Sequence, residues 1–221
     1  MTILYLVRHC EAFGNIKRIF QGHIDSEISD NGQKQLDRLT ERFRDIPLDG
    51  IVSSPLKRAY LTAQAVNGDR GLPVETDRRL MEINGGRWEG KPWDDLDGLY
   101  PEESAAWLKA PWDFHPEEGE SMRAVYERMA AALTDIARRY EGKTVAVASH
   151  GCAIRNALCW MRGWPVERLN EVPWADNTSV ALLEFDDHPH GEPSRRIVYE
   201  NDNSHLGKEI STFEKQSWWR K

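Results

Sequence analysis

Apolar and polar positions along the chain fall into two kinds of block: short apolar runs that stop sharply at charge, and longer stretches in which apolar residues recur every third or fourth place. Thr2 to Val7, Gly50 to Ser53 and Thr144 to Ala148 are of the first kind and predict buried strands; Pro73 to Glu75, Ser179 to Phe185 and Arg195 to Tyr199 fit shorter or more exposed strands. The second kind predicts helices. Leu36, Leu39 and Phe43 mark one over roughly Asn31 to Arg44, with Ser29 as its cap and Pro47 beyond its end. Met122, Val125, Met129, Leu133 and Ile136 form a single stripe on a long helix from the Ser121 cap to about Tyr140. Two more follow a strand directly, one with Pro55 in its first turn and lasting to Val66, the other opened by Gly151 and lasting to Met161. The residues from Cys10 to about Asp30 read as loop with short helical turns.

Strands alternating with helices imply an α/β fold: one domain over residues 1–221, a three-layer sandwich whose mostly parallel central sheet is covered by helices on both faces. One stretch does not fit the alternation. Residues 77–115 are polar, rich in glycine and tryptophan, and weakly periodic only around Trp93 to Leu108, so they are expected to form an inserted lid.

Charge and composition narrow the chemistry. The net charge of −7 and pI near 5.6 argue against a nucleic-acid or anionic-membrane partner, so an anionic ligand must find a locally positive pocket. The apolar run Ile3 to Val7 is too short for a signal peptide or a membrane span, and cytoplasmic residence is the default expectation. Cys10, Cys152 and Cys159 make an odd set without metal-type spacing and are expected to be reduced thiols; no metal constellation is visible.

Three strands end in phosphate-competent residues: Arg8-His9, Ser53-Ser54-Pro55-Leu56-Lys57-Arg58, and Ser149-His150-Gly151. Ligands of open α/β sheets bind outside the carboxyl ends of the strands, so these clusters are expected to converge. Arg8 and Arg58 offer planar forks for phosphate oxygens, while His9 and His150 offer a nucleophile and a further donor. A nucleophilic histidine must be neutral at one ring nitrogen, and flanking arginines favour that state. Glu82 is the candidate proton donor to the leaving oxygen and Glu89 the second choice. Taken singly each cluster has an ordinary reading, as a surface pair, a helix start or a solvated carboxylate; the combination is what points to phosphoryl transfer.

Leu6-Val7-Arg8-His9-Cys10-Glu11-Ala12-Phe13-Gly14-Asn15 resembles the opening motif of the histidine phosphatase, or phosphoglycerate mutase-like, superfamily. Arg18-x-x-Gln21-Gly22-x-x-Asp25, Ser53 to Ala59, Glu82-x-x-x-Gly86-x-Trp88-Glu89-Gly90, Gly119-Glu120-Ser121, Ser149-His150-Gly151 and Asn203-Ser204-His205-Leu206 are similar to further family signatures in order and spacing. The resemblance implies a phosphomonoester hydrolase of the phosphatase branch, acting on a small organic phosphate without metal or organic cofactor. By it, His9 is the phosphorylated nucleophile, Arg8, Arg58 and His150 complete the phosphate pocket, and Glu82 is the acid. Asn15, Gln21, Gly22 and the Gly151 backbone fall where relatives make further phosphate or substrate contacts. A phosphoglycerate-type mutase and a non-catalytic phospholigand-binding module are the alternatives.

Two positions depart from the family pattern: Cys10 stands for a glycine and Ala12 for a threonine. A Cβ at position 10 is expected to crowd a tight phosphate loop or force a slightly different backbone there, and the lost hydroxyl to remove one phosphate or loop hydrogen bond. Cys10 invites a cysteine-phosphatase reading, but that loop needs an arginine six positions on, where Ile16 stands. Of the nine tryptophans, Trp160, Trp164 and Trp174 are expected to pack the core or bridge it to the surface; Trp88, Trp93, Trp107 and Trp112 either wall a pocket for an apolar leaving group or anchor the insertion, and anchoring is the reading adopted here. The substrate itself and the oligomeric state are open at this stage.

Overall fold

The computed structural model describes residues 1–186 and 194–216. Six strands, β1 (Thr2–Arg8), β2 (Gly50–Ser53), β3 (Val74–Thr76), β4 (Thr144–Ser149), β5 (Val180–Asp186) and β6 (Ser194–Asp202), form one sheet in the order β3-β2-β4-β1-β5-β6. The first four are mutually parallel; β5 runs antiparallel to β1, and β6 antiparallel to β5. The sheet is therefore mostly parallel, with one reversed strand near an edge.

Helices α1 (Phe13–Ile16), α2 (Asp30–Phe43), α3 (Lys57–Asn67), α4 (Trp93–Leu99), α5 (Pro101–Lys109), α6 (Met122–Arg139), α7 (Gly151–Met161) and α8 (Thr212–Lys215) complete the element order, with short 3₁₀ turns between them. The period-two alternation of the strands sorts their side chains between two buried faces. Leu4, Leu6, Val145 and Val147 join the stripe of α6 and the buried side of α7, whereas Val7 and Ala146 meet Leu39, Phe43 and Val66 of α2 and α3. Helices thus cover both faces, giving the three-layer sandwich. Ser29 Oγ accepts from Gly32 N (2.9 Å) and Ser121 Oγ from Ala124 N (3.2 Å), so both predicted caps are present, each worth about 1 kcal/mol.

Two boundaries differ from the sequence reading for physical reasons. Pro55 lies ahead of α3, not in its first turn: Ser54 N still pairs with Ala148 O (2.9 Å), which keeps the chain extended, and the helix starts only where Asp25 Oδ1 accepts from Lys57 N (2.7 Å). The weakly periodic Trp93 to Leu108 stretch is two helices, broken at Tyr100 (φ −139°, ψ 64°), with Pro101 opening the second.

Register brings the strand ends level. Arg8 is opposite Ser149 and Ser53 opposite Ala148, so the residues that follow β1, β2 and β4 emerge side by side at one edge. Residues 77–121 pass over that edge as α4, α5 and 3₁₀ turns. Gly86 lets them pack there: its φ of +50° is left-handed, and a Cβ would lie 2.1 Å from the Glu117 carbonyl oxygen. Among the described residues, no helix is long and apolar enough to cross a membrane.

Candidate active site

The level strand ends open into a cavity of about 540 Å³ lined by Arg8, His9, Asn15, Gln21, Gly22, Arg58, Glu82 and Gly151, together with residues of α4, α5 and the loop after α1. Eight of the nine residues singled out from sequence therefore share one wall. The ninth, His150, is fully buried directly behind it, its ring centroid 5.1 Å from that of His9.

His9 is held by its own chain. Its Nδ1 lies 2.6 Å from the Cys10 carbonyl oxygen, an acceptor only, so Nδ1 carries the proton and the lone pair is on Nε2. Burial pushes its pKa well below the ordinary histidine value, and the Arg58 and Arg8 guanidiniums push it further down, against a smaller opposing effect of the Cys10 hydrogen bond. The ring is thus neutral with one nitrogen available. His150 is depressed in the same direction, first by burial and then by Arg58. Its Nε2 is 2.7 Å from Ser54 Oγ, a hydroxyl that also accepts from Leu56 N (3.3 Å).

Arg58, fully buried, donates from Nη1 to Ile24 O and from Nη2 to Gly22 O, both at 2.8 Å, which fixes the fork. Desolvation lowers its pKa to about 10, so the guanidinium remains charged at neutral pH. Arg8 donates from Nη1 to the Ala175 carbonyl and is also lowered by burial, partly offset by Asp176 and Glu82. The Arg58 Nε, His150 Nδ1 and Gln21 Oε1 atoms are buried and find no hydrogen-bond partner among the described residues. Buried polar atoms of this kind have an unmet demand for a hydrogen-bond partner. Gly22 must be glycine: its φ is +48° and a Cβ would sit 2.2 Å from the Glu89 carboxylate. Asn15 spends its Oδ1 on Ala12 N (3.0 Å), which shapes the turn into α1.

Glu82 faces the cavity while accepting from Ile83 N and Ala153 N (3.0 Å each) at Oε1 and from Cys152 N (3.1 Å) at Oε2. The first turn of α7 therefore positions the carboxylate. Glu89 does not line the cavity: its Oε1 accepts from His23 N (2.8 Å) and Gly85 N (3.0 Å), which ties two loops together.

Both departures from the family pattern lie buried outside the cavity lining. Cys10 turns away from the cavity toward α3, its Sγ 3.9 Å from the Arg58 carbonyl oxygen; its backbone N donates to Thr62 Oγ1 (3.0 Å), and burial raises its thiol pKa to about 12. It neither crowds the loop nor supplies a thiolate at neutral pH, because its φ is not left-handed and its side chain has a buried berth. Ala12 is likewise fully buried, and its N–H is satisfied by Asn15.

Sequence reasoning missed one group and left the role of a second between two readings. Residues 175–179 grip the backbone of Arg8 and His9: Asn177 Nδ2 donates to His9 O (2.9 Å), and Thr178 N to Arg8 O (3.1 Å). The buried Asp176 carboxylate anchors that segment by accepting from Ser211 Oγ (2.6 Å), Asn203 Nδ2 (3.0 Å) and Phe213 N (3.2 Å). Asn203 belongs to a motif noticed in sequence, and this contact gives it a physical role. The second group is aromatic. Trp88, Trp93 and Trp107 line the cavity with Trp174 and Phe20, so the insertion's tryptophans wall a pocket as well as anchor; Trp112 packs against the core instead. Among the described residues no group of three or more His, Cys, Asp or Glu is placed to hold a metal ion.

The model of the family described as "Histidine phosphatase superfamily (branch 1)" matches residues 4–192. Phosphoserine phosphatase 1 of Hydrogenobacter thermophilus is 32% identical over 212 residues, covering 94% of this chain and 96% of that protein. Phosphoglycerate mutase-like protein 4 of Arabidopsis thaliana is 34% identical over 187 residues, with 83% and 80% covered. Among solved structures, Bacillus stearothermophilus YhfR superimposes with a TM-score of 0.86 at 34% identity, over 93% of this chain and 99% of that one.

Proposed function

The chain belongs to branch 1 of the histidine phosphatase superfamily and is a phosphomonoester hydrolase, and we propose that it works by two in-line transfers through a phosphohistidine at His9. The observation that carries this reading is the His9 ring: buried, neutral, protonated at Nδ1 by its bond to the Cys10 carbonyl, and flanked by two guanidiniums on the cavity wall.

In the first transfer the Nε2 lone pair attacks phosphorus, the bond to the ester oxygen breaks, and that oxygen takes a proton from Glu82. Charge on the transferring phosphoryl oxygens is met by Arg8 and Arg58, whose burial makes each interaction stronger than it would be in water. His150, behind His9 with an unmet Nδ1, completes the donor set. In the second transfer the Glu82 carboxylate takes a proton from water, the water oxygen attacks phosphorus, and the N–P bond breaks to restore His9. Every proton and electron pair is returned, so no redox partner enters. Asn15, Gln21, Gly22 and the Gly151 backbone bound the phosphoryl site and serve as its contacts.

The substrate is a small organic phosphate ester, as the name of the phosphoserine phosphatase relative suggests. Turnover of a panel of alkyl and aryl phosphomonoesters by the purified protein, with EDTA present throughout, tests the reading. Hydrolysis that survives chelation and is lost in His9→Ala is expected. Activity that EDTA abolishes and a divalent metal restores would overturn the metal-free mechanism.

A further inference from the structure

Beyond the phosphoryl site the cavity changes character. Its far wall is aromatic and rigid: Phe20 and Trp88 are almost fully buried behind it, 3% and 1% exposed, and meet edge-on at 5.4 Å. Half-buried Trp93, Trp107 and Trp174 form the surface in front, with ring centroids 5.5 Å apart for the first pair and a stacked 6.2 Å for the second. Leu108, 66% exposed, caps the rim.

The cation of this half is already paired. Besides Arg8 and Arg58, Arg18 is the one Lys or Arg among the described residues that line the cavity, and Asp94 binds it bidentately at 2.7 and 2.9 Å. Asp94 and Asp97 add negative charge at the same wall. A leaving group carrying a carboxylate would meet two aspartates and a guanidinium already taken, whereas an apolar ring would meet ring faces and edges on several sides.

From this juxtaposition we infer that the substrates of this enzyme are phosphomonoesters of bulky apolar or aromatic alcohols, not of small amino or hydroxy acids. The inference rests on the phosphatase reading above and narrows it. It also separates this chain from the compound that the phosphoserine phosphatase relative is named for.

The test compares kcat/KM for 2-phenylethyl phosphate, ethyl phosphate and O-phosphoserine. Both simple esters release primary alcohols of similar acidity, and serine is the better leaving group of the three, so leaving-group chemistry does not favour the expected result. 2-Phenylethyl phosphate is expected to exceed ethyl phosphate by about 100-fold, the effect of burying one phenyl ring. Trp107→Leu and Trp174→Leu should each shrink that ratio roughly tenfold. Because these variants can disturb folding, the wild-type protein is also tested with phosphonates, which it cannot hydrolyse: 2-phenylethylphosphonate should compete at least about tenfold better than ethylphosphonate. O-Phosphoserine turned over faster than 2-phenylethyl phosphate, or phosphonates of equal strength, would overturn the substrate class while leaving the phosphatase reading intact. A ratio unchanged in folded Trp107→Leu and Trp174→Leu would overturn the assignment to this wall. Failure of all three esters would instead overturn the phosphatase reading and the inference with it.

Discussion

The two halves of the cavity are built by different means. The phosphoryl half stands on the carboxyl ends of β1, β2 and β4, where parallel register fixes Arg8, His9, Ser54 and His150 to within one residue of a hydrogen-bonded ladder. The leaving-group half is assembled from α4, α5 and 3₁₀ turns whose cohesion comes from ring packing and from Glu103, which accepts from both Trp88 Nε1 and Arg87. Sheet register admits little variation without a slip that would turn every side chain over. Helical turns held by side chains can be exchanged. The difference teaches that reaction type and substrate choice are written in separate parts of this chain.

The largest expected effect of a substitution that separates the halves comes from Arg58→Ala. Removing a buried guanidinium from the developing charge should lower kcat/KM by about 10²- to 10³-fold, and by the same factor for every leaving group. A loss that varied with the leaving group would show that Arg58 also reads the alcohol, and would blur the division. Circular dichroism of the variant separates this from misfolding, since Arg58 also holds the Gly22 and Ile24 carbonyls.

Glu82 lies between the halves and should behave in the opposite way. A general acid matters most when the leaving group is poor. Glu82→Gln is therefore expected to slow single-turnover phosphorylation by alkyl phosphates by roughly 10²-fold or more and by aryl phosphates far less, with phosphoenzyme accumulating from the aryl esters. Equal losses across a series of leaving-group acidities would remove Glu82 from the acid role, and the same series with Glu89→Gln, a residue outside the cavity, serves as the control.

How much of this was legible in the sequence follows the same division. Strands ending in Arg8-His9, Ser53 and Ser149-His150 could be read because apolar runs stop at charge, and the topology of parallel strands then dictates where those ends meet. The boundaries of α7 and β2 could be read to the residue because Gly151 and Gly50 mark sharp changes of pattern. The start of α3 could not, since the carboxylate that accepts from its first N–H is Asp25, more than thirty residues away in sequence. Asp176 was equally invisible: its partners at positions 203, 211 and 213 come together only in three dimensions. The tryptophans could be counted, but which of them face the cavity depends on the break at Tyr100, and no periodicity announces it. Position 10 shows the converse: a Cβ expected to crowd the loop or shift its backbone belongs to a side chain that is fully buried, with its Sγ 3.9 Å from the Arg58 carbonyl oxygen.

A smaller, global effect follows from keeping the phosphoryl half neutral at its histidines. His9 and His150 have folded-state pKa values well below the unfolded value of 6.5, chiefly through burial, and His205 is lowered to about 4. Below pH 6.5 the unfolded chain therefore binds protons that the folded chain refuses, so stability is fully present above that pH and falls as the pH drops toward the folded values. Each such histidine contributes a slope of about 1.4 kcal/mol per pH unit in that window. Urea unfolding at pH 7, 6 and 5 should show the decline, and His150→Gln should make it shallower. Stability that stayed level from pH 7 to 5 would mean that these histidines are not held neutral.

The most direct test of the central claim is to trap the intermediate. Wild-type protein quenched during turnover of a ³²P-labelled phosphomonoester should carry acid-labile, base-stable label on the peptide containing His9, and none should appear in His9→Ala. Label on Cys10, label stable to acid, or turnover without any labelled protein would contradict the phosphohistidine mechanism.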